Sequence, residues 1–203
     1  FLFTGSIHKV ACRIRPYEVM RGETDRVVEK SMDLLYRAFL DQSPKEPVLA
    51  EIMQMFDAIE VQKHARPKVA IFGDLYVRDN DVFNQDLVKV IEENGGEALI
   101  TSLSEYLKII LKQTEVRLFQ EGRYLEHYNL KLLKNLIPLL EKKYNRYFSK
   151  YIRDIRPLNG QLNEILDRHH LQMLHRGESI DNVLKIENLV QNYDDIALFV
   201  QTN

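Results

Sequence analysis

Apolar residues follow a strand-helix-strand pattern between residues 66 and 102. Residues 68–72 form a short apolar run that ends at Gly73, which is typical of a strand buried on both faces of a parallel sheet. The spacing then becomes helical, with an apolar stripe of Leu87, Val88, Val90 and Ile91 and a solvent side of Asp86, Lys89, Glu92 and Glu93. Two glycines at positions 95 and 96 end this helix, and residues 98–100 form a second apolar run. The pattern predicts a β-α-β unit.

The first 66 residues have a mainly helical pattern. Residues 1–15 place apolar side chains on one helical face, although their β-branched content also permits a strand, and the segment ends at Pro16. A second helix is predicted from Thr24 or its neighbour, acting as N-cap, to about residue 40, and a third runs to the linker at residues 64–67. The predicted buried stripes are Val27, Val28, Met32, Leu35, Tyr36 and Phe39 in the second helix, and Leu49, Ile52, Met53, Phe56 and Ile59 in the third.

The remaining pattern predicts further helices and one more strand. Helices are expected at residues 103–120, 162–174 and 180–190, and a buried strand at 195–201. The pattern at residues 130–152 is interrupted by Pro138, which permits two helices or one kinked helix. The predicted class is α/β, a Rossmann-like parallel sheet flanked by helices. We expect a helical N-terminal arm (residues 1–66) that packs on an α/β domain (residues 67–203), and we expect that domain to be truncated at its C-terminus because three strands make a small parallel sheet.

Composition narrows the class of partner. The 28 Lys and Arg residues are balanced by 30 Asp and Glu residues, so the chain has no overall basic field for nucleic acid. No segment approaches the roughly 20 apolar residues of a membrane span, and we expect neither a membrane nor a nucleic-acid partner. The single cysteine, Cys12, excludes an intramolecular disulfide and a site with four cysteine ligands made by this chain alone. A reducing, cytoplasmic setting is expected.

Polar side chains follow the first predicted strand, at the edge where an open α/β sheet binds its ligands. The predicted ligand-binding residues of this loop are Asp74, Tyr76, Arg78, Asn80 and Asn84. Arg78 can pair with a phosphate or a carboxylate, and the amides near Asn84 favour an anion. The structural alternative is that Asp81 or Asn84 caps the next helix and that Arg78 balances nearby aspartates; both interpretations stay open. Gly73 is followed by Asp-Leu-Tyr, so the loop lacks a dinucleotide fingerprint.

Other polar clusters have structural and chemical interpretations. Glu178, at a turn before a helix, is the sixth predicted ligand-binding residue, and the alternative is a turn in which Ser179 is a simple cap. His169, His170 and His175 invite a metal hypothesis, but their spacing fits no zinc motif and a solvated helix end is the favoured interpretation.

Residues 142–153 and Cys12 each have a functional interpretation and a packing interpretation. The basic and aromatic residues 142–153 have the composition of a nucleic-acid surface, but the helical spacing of their aromatic side chains favours a core stripe. Cys12 lies near two arginines, which can lower the pKa of a thiol, and packing in an apolar face is the favoured alternative.

Three segments, in order along nearly the whole chain, resemble one protein family. They are Arg15-Pro16-Tyr17-Glu18 with Gly22-Glu23-Thr24-Asp25-Arg26, then Gly73-Asp74-Leu75-Tyr76-Val77-Arg78 with Gly95-Gly96-Glu97, and finally Arg176-Gly177-Glu178. They look like the 2-hydroxyacyl-CoA dehydratase component-like region of long acyl-CoA dehydratase activase-related proteins. The resemblance implies Rossmann-like subdomains and an ATP-driven system, in which an activator with a [4Fe–4S] cluster reduces a dehydratase. The dehydratase's own cluster then dehydrates a 2-hydroxyacyl-CoA.

The chain departs from that family pattern in two ways. It has neither the ATPase phosphate loops nor the cluster-ligating cysteines, which the resemblance places after a strand like residues 195–201. We therefore expect a fragment that is inactive alone and has no cofactor of its own. The complete protein would carry a [4Fe-4S] cluster, and the expected partner is an acyl-CoA dehydratase or activator subunit. The alternative is a non-catalytic Rossmann-like module that binds a ligand or another protein; a nucleic-acid binder would rest only on residues 142–153.

Overall fold

The computed structural model describes residues 2–62, 64–101, 103–152, 162–172, 179–192 and 196–202, which are mostly helical with a small parallel sheet. The helices are α1 (Leu2–Ile14), α2 (Glu23–Leu40), α3 (Lys45–Asp57), α4 (Leu75–Arg78), α5 (Leu87–Glu93), α6 (Leu103–Gln120), α7 (Tyr124–Phe148), α8 (Leu162–Arg168) and α9 (Ser179–Asn192). A short 3₁₀ helix, Arg15–Tyr17, follows α1. The strands are β1 (Lys68–Gly73), β2 (Glu97–Leu99) and β3 (Ile196–Thr202). The predicted α/β class is confirmed at this level.

The sheet has the order β2-β1-β3, and both pairs of neighbours are parallel. Central strand β1 pairs with β2 from Lys68 opposite Glu97, and with β3 as far as Gly73 opposite Thr202. The four residues from Val69 to Phe72 are all buried, as expected for a strand covered on both faces. The predicted strands are therefore present, with β2 starting one residue earlier than predicted.

The main apolar core lies between the first three helices and the end of α7. Its buried members are Ile7, Val10, Ala11, Ile14, Leu35, Leu49, Ile52, Met53, Phe56, Ile59 and Phe148. Helix is thus the correct choice for the first segment, because its apolar stripe is buried at helical spacing. Tyr144, Tyr147 and Tyr151 pack against the same core, which confirms the core interpretation of this aromatic stripe.

Helix α2 departs from its predicted orientation and cap. Tyr36 and Phe39 are 69% and 56% exposed, so their predicted burial is wrong. The buried face instead runs through the small residues Thr24, Ser31 and Ala38, together with Leu35, and small side chains allow helices to approach closely. The Glu18 carboxylate, rather than Thr24, accepts hydrogen bonds from the first backbone N–H groups of α2.

The helix between β1 and β2 also differs from its predicted pattern. A separate four-residue helix, α4, precedes it, and Val90 is half-exposed rather than buried. The Glu92 side chain, which the pattern places in solvent, is only 7% exposed because it pairs with an arginine of the arm. Gly95 ends α5 with a positive φ, as expected. A Cβ atom on Gly96 would lie 2.8 Å from Ile91 Cγ2, so this second glycine permits the close approach of α5 to β2.

The extents of helices α7 and α8 differ from those predicted. Helix α7 runs without interruption through Pro138 and begins before its predicted start, so the alternative of two helices is wrong. Helix α8 ends at Arg168, short of the predicted residue 174. None of the helices in the described ranges combines the length and apolar character that crossing a membrane requires.

Candidate functional site

The strand order of the sheet reverses at β1. The chain passes from β1 to β2 on one side and later adds β3 on the other side, so that Gly73 and Thr202 lie opposite each other at the carboxyl ends. Ligands of open parallel sheets bind at the carboxyl ends of strands, where the order reverses. Residues 73–86, which we call the β1 loop, leave the sheet at this point and form the candidate site.

Three predicted ligand-binding residues of the β1 loop shape its backbone. An oxygen of Asp74 accepts hydrogen bonds from two N–H groups of α4 at 2.9 and 3.1 Å. Asn80 Oδ1 accepts hydrogen bonds from the backbone N–H groups of Val82 and Phe83 at 3.0 and 3.2 Å. Asn84 accepts from the first N–H of α5 at 3.1 Å and donates to the Arg78 carbonyl at 2.7 Å. These are local caps and turns, so the capping alternative is correct for Asn84.

Tyr76 and Phe83 form an exposed aromatic pair on the same loop. Their ring centroids are 5.2 Å apart, and both side chains are more than half exposed. Large apolar side chains exposed together are typical of surfaces that bind something. Tyr76 is therefore a predicted site residue with a large exposed side chain, in contrast to buried Arg78.

Arg78 is the unusual residue of the β1 loop. Its side chain is buried, and its Nε donates to Asp79 Oδ1 at 3.0 Å. Both Nη atoms are buried and have no hydrogen-bond partner among the described residues. A buried donor without an acceptor costs free energy, more so when it is charged. The two Nη groups form one edge of the guanidinium, and such an edge can bind a phosphate or carboxylate with two parallel hydrogen bonds.

The remaining predicted clusters are only partly described. Glu178 and His175 lie outside the described residues. His169 Nε2 lies 2.8 Å from Glu187 Oε1, and this contact, with Arg168 nearby, holds the pKa of Glu187 below its usual range. In the described ranges, no three His, Cys, Asp or Glu side chains are grouped in a way that could hold a metal ion.

A network of charged side chains around two buried carboxylates lies at the opposite end of the strands, and the sequence pattern did not predict it. Arg13 pairs with Glu97, whose other oxygen accepts from the Tyr17 hydroxyl at 2.6 Å. Arg15 Nη1 lies 3.1 Å from both oxygens of Glu92. Arg15 Nε also donates to Asp25 at 2.8 Å. We call these six residues and Glu18 the arm-sheet network, because they join α1, the 3₁₀ helix and α2 to α5 and β2.

A cavity of about 410 Å³ lies beside the arm-sheet network, at the amino ends of β1 and β2. The acidic groups in its wall are already paired. Glu97 has the partners described above, and Asp57 accepts from Lys150 at 2.6 Å and from Tyr151 at 2.5 Å. The cavity therefore belongs to the structural joint between the arm and the sheet.

Burial raises the pKa of three groups in or beside the arm-sheet network. Burial raises the pKa of Cys12 to about 12, so this thiol is protonated at neutral pH and the proposed lowering of its pKa is wrong. Burial also raises the pKa of Glu92 to about 7, although the Arg15 cation opposes the rise. Burial and the hydrogen bond to Glu97 raise the pKa of Tyr17.

Comparisons of the chain with protein-family models, with curated proteins and with solved structures give no match. The family resemblance therefore stays a prediction from the quoted residues. The described contacts provide the geometric basis for a function.

We expect Glu92→Gln to stabilise the protein at pH 8 but not at pH 5. With a pKa raised from 4.5 to about 7, the folded state binds more protons than the unfolded state within that interval, so the Glu92 contribution to stability falls as pH rises through it. Across this pH interval, the Glu92 contribution to the free energy of unfolding changes by at most about 3 kcal/mol. Urea denaturation at several pH values measures it, with Glu93→Gln on the exposed side of α5 as control. A destabilised Glu92→Gln protein at pH 8 would show instead that the ion pair with Arg15 dominates.

We expect Arg78→Met to stabilise the protein in the absence of any ligand. Met fills a similar volume and removes two buried donors that have no acceptor, a gain on the order of 1–3 kcal/mol. The lost contact with half-exposed Asp79 contributes little. Chemical denaturation measures the change, with exposed Arg37→Met as the matched control. A loss of stability typical of ordinary core substitutions would mean that the Arg78 side chain is satisfied in the folded protein.

Proposed function

We propose that this chain is the α/β part of an acyl-CoA dehydratase activase-related protein. In this proposal β1, β2 and β3 are the centre of a Rossmann-like sheet, and the β1 loop faces the acyl-CoA or the cluster site of the complete protein. The chain is inactive alone, and its partner is an acyl-CoA dehydratase or activator subunit in the cytoplasm. Its contribution is to bind and orient an anionic ligand.

Contacts between the segments that carry the resemblance support the proposal. Arg15 reaches Asp25, and Tyr17 reaches Glu97, 80 residues further along the chain. Glu18 binds the backbone N–H groups of Gly22 and Thr24. Residues that are far apart in sequence but share one network belong to one structural unit, as expected of motifs inherited together.

The residues of this chain do not fit an iron–sulfur cluster. Such clusters are held by several cysteine thiolates, whereas the sequence contains only Cys12. Its thiol is buried and protonated, with a pKa of about 12. The cluster of the proposed system therefore belongs to another part of the complete protein or to its partner, and we assign no electron-transfer step to this chain.

Arg78 is the observation on which the proposed ligand binding rests. Its two unpaired Nη atoms lie next to the carboxyl end of β1, and coenzyme A carries phosphate groups that match a guanidinium. The Nη atoms are covered, so a ligand reaches them only when the β1 loop shifts. Gln85 and Asp86 at the end of this loop have φ angles of 56° and 54°, a backbone conformation that costs energy for residues other than glycine.

The same observation favours a second candidate, a non-catalytic module in which Arg78 binds a small anion. This candidate needs no acyl-CoA partner and no cluster. The two functions differ in the ligand that the β1 loop prefers. An activase-related protein would bind coenzyme A more tightly than inorganic phosphate. A small-anion module would bind the two ligands equally well.

We expect coenzyme A to bind the chain and Arg78→Met to weaken that binding at least tenfold, because a pair of charged hydrogen bonds is lost. Isothermal titration with coenzyme A and with inorganic phosphate measures both affinities, and Arg37→Met is the control for the lost charge. Equal affinity for the two ligands would favour the anion-binding module. No effect of Arg78→Met on either ligand would remove Arg78 from the site.

The iron–sulfur part of the proposal has a separate test. We expect the polypeptide from its native host, purified without oxygen together with its partner, to contain about four iron and four acid-labile sulfide atoms per cluster. Chemical analysis of iron and sulfide measures this. The absence of both after reconstitution would contradict the activase-related proposal, even if the Arg78 site binds an anion.

A further inference from the structure

Helices α6 and α7 form a hairpin whose outer surface is apolar. Besides Tyr124, which packs against Phe119, helix α7 exposes seven large apolar side chains, each between 51% and 83% exposed: Leu125, Tyr128, Leu132, Leu133, Leu136, Leu139 and Leu140. The described part of the chain places no other element over them. Exposed apolar surface on this scale is typical of an interaction site.

The face of α7 that contacts α6 is more polar than its outer face. It includes Lys134, which pairs with buried Glu115 of α6, and buried Glu141, which pairs with Lys108 at 2.5 Å. His127 Nδ1 lies 3.0 Å from the Glu115 carbonyl. The ion pairs therefore lie on the inner face, together with half-buried Leu130 and Ile137, while the seven exposed apolar side chains point away from it. This inverts the usual amphipathic arrangement.

The exposed side chains form a regular stripe. At about 100° per residue, Leu125, Tyr128, Leu132, Leu136 and Leu139 lie within a narrow sector opposite the seam with α6; we call these five residues the outer stripe. Its spacing is symmetric about Leu132. Leu125 and Leu139 lie seven residues on either side of the centre, and Tyr128 and Leu136 lie four residues on either side.

We propose that the outer stripe is the surface through which two copies of this chain pair, with their α7 helices antiparallel and a two-fold axis at Leu132. The two-fold axis places Leu132 against its own copy. Leu125 then packs on the copy's Leu139, and Tyr128 on the copy's Leu136. A self-complementary patch of this kind is what a two-fold interface requires.

The charges at the ends of α7 select the antiparallel arrangement. The exposed residues Glu121, Arg123 and Glu126 give the beginning of the helix a net charge of −1. At the other end, exposed Lys142 and Lys143, with Glu46 paired to Lys143, give a net charge of +1. Antiparallel copies bring these unlike ends together, whereas parallel copies would place the lysine pairs side by side. Unlike charges across an interface favour the matched orientation.

The area is sufficient for a specific dimer. Seven half-exposed or more exposed side chains offer on the order of 600 Å² per copy, or about 1,200 Å² for the pair. Stable specific interfaces begin at about this size. Leu133 and Leu140, at the flank of the outer stripe, are needed to reach it.

Sedimentation of the full chain over a range of concentrations tests the proposal. We expect a dimer, and we expect Leu132→Glu to shift the dissociation constant by at least a hundredfold, because it places two like charges at the two-fold axis. Lys131→Glu, about 100° away on the same helix, is the matched control and leaves the dimer intact; circular dichroism checks the fold of each variant. A wild-type chain that is monomeric at all concentrations would overturn the proposal. If that monomer binds anionic phospholipid vesicles and Leu132→Glu abolishes the binding, the outer stripe is a membrane-binding surface instead.

Disulfide cross-linking tests the orientation. A mixture of Leu125→Cys and Leu139→Cys chains is expected to form cross-linked heterodimers, and Leu132→Cys to cross-link with itself. Buried Cys12 in the wild-type chain is the control for background cross-linking. Self-linking of Leu125→Cys without the mixed product would overturn the antiparallel arrangement.

Discussion

Buried ion pairs between the arm and the sheet constrain the rest of the fold. The side chains of Glu92 and Glu97 are almost fully buried, and a buried carboxylate without a partner costs several kcal/mol. Their partners, Arg13 and Arg15, lie on the arm, some 80 residues away. The end of α5 and the start of β2 therefore reach their observed positions only when the arm is in place. The arm and the sheet are expected to unfold together.

The same constraint fixes the candidate site at the other end of the strands. The arm-sheet network holds the amino ends of the sheet, so β1 delivers the β1 loop to a defined place at the carboxyl edge. Three polar residues of that loop shape its backbone, and the two Nη atoms of Arg78 have no hydrogen-bond partner in the described part of the chain. A protein keeps such a costly group where binding compensates for it, because stability is commonly lost at functional sites. This makes Arg78 a better indicator of a ligand than the exposed polar residues around it.

Local periodicity predicted the elements but not the contacts between distant segments. The strands and most helices follow from short apolar runs and helical stripes, and the alternative cap at Asn84 follows from its position before α5. The wrong burial assignments of Glu92 and Tyr36 come from tertiary structure. Glu92 is buried because Arg15 reaches it, and Tyr36 is exposed because α2 turns its small residues to the core. Helix α4 has only four residues, too few to produce a periodic pattern.

Helix α7 shows why the direction of an amphipathic face cannot be inferred from one helix alone. Its leucine stripe has the pattern of a buried face, yet the inner seam is taken by ion pairs between Lys134 and Glu115 and between Lys108 and Glu141. Burial of charges and exposure of leucines both cost free energy. Turning the helix around would remove the second cost, but it would separate Glu141 from Lys108 and leave Glu115 with only its contact to Lys112 at 3.4 Å. The arrangement has its lowest free energy when another apolar surface covers the leucines, because the ion pairs then stay intact and the exposed area is removed from water.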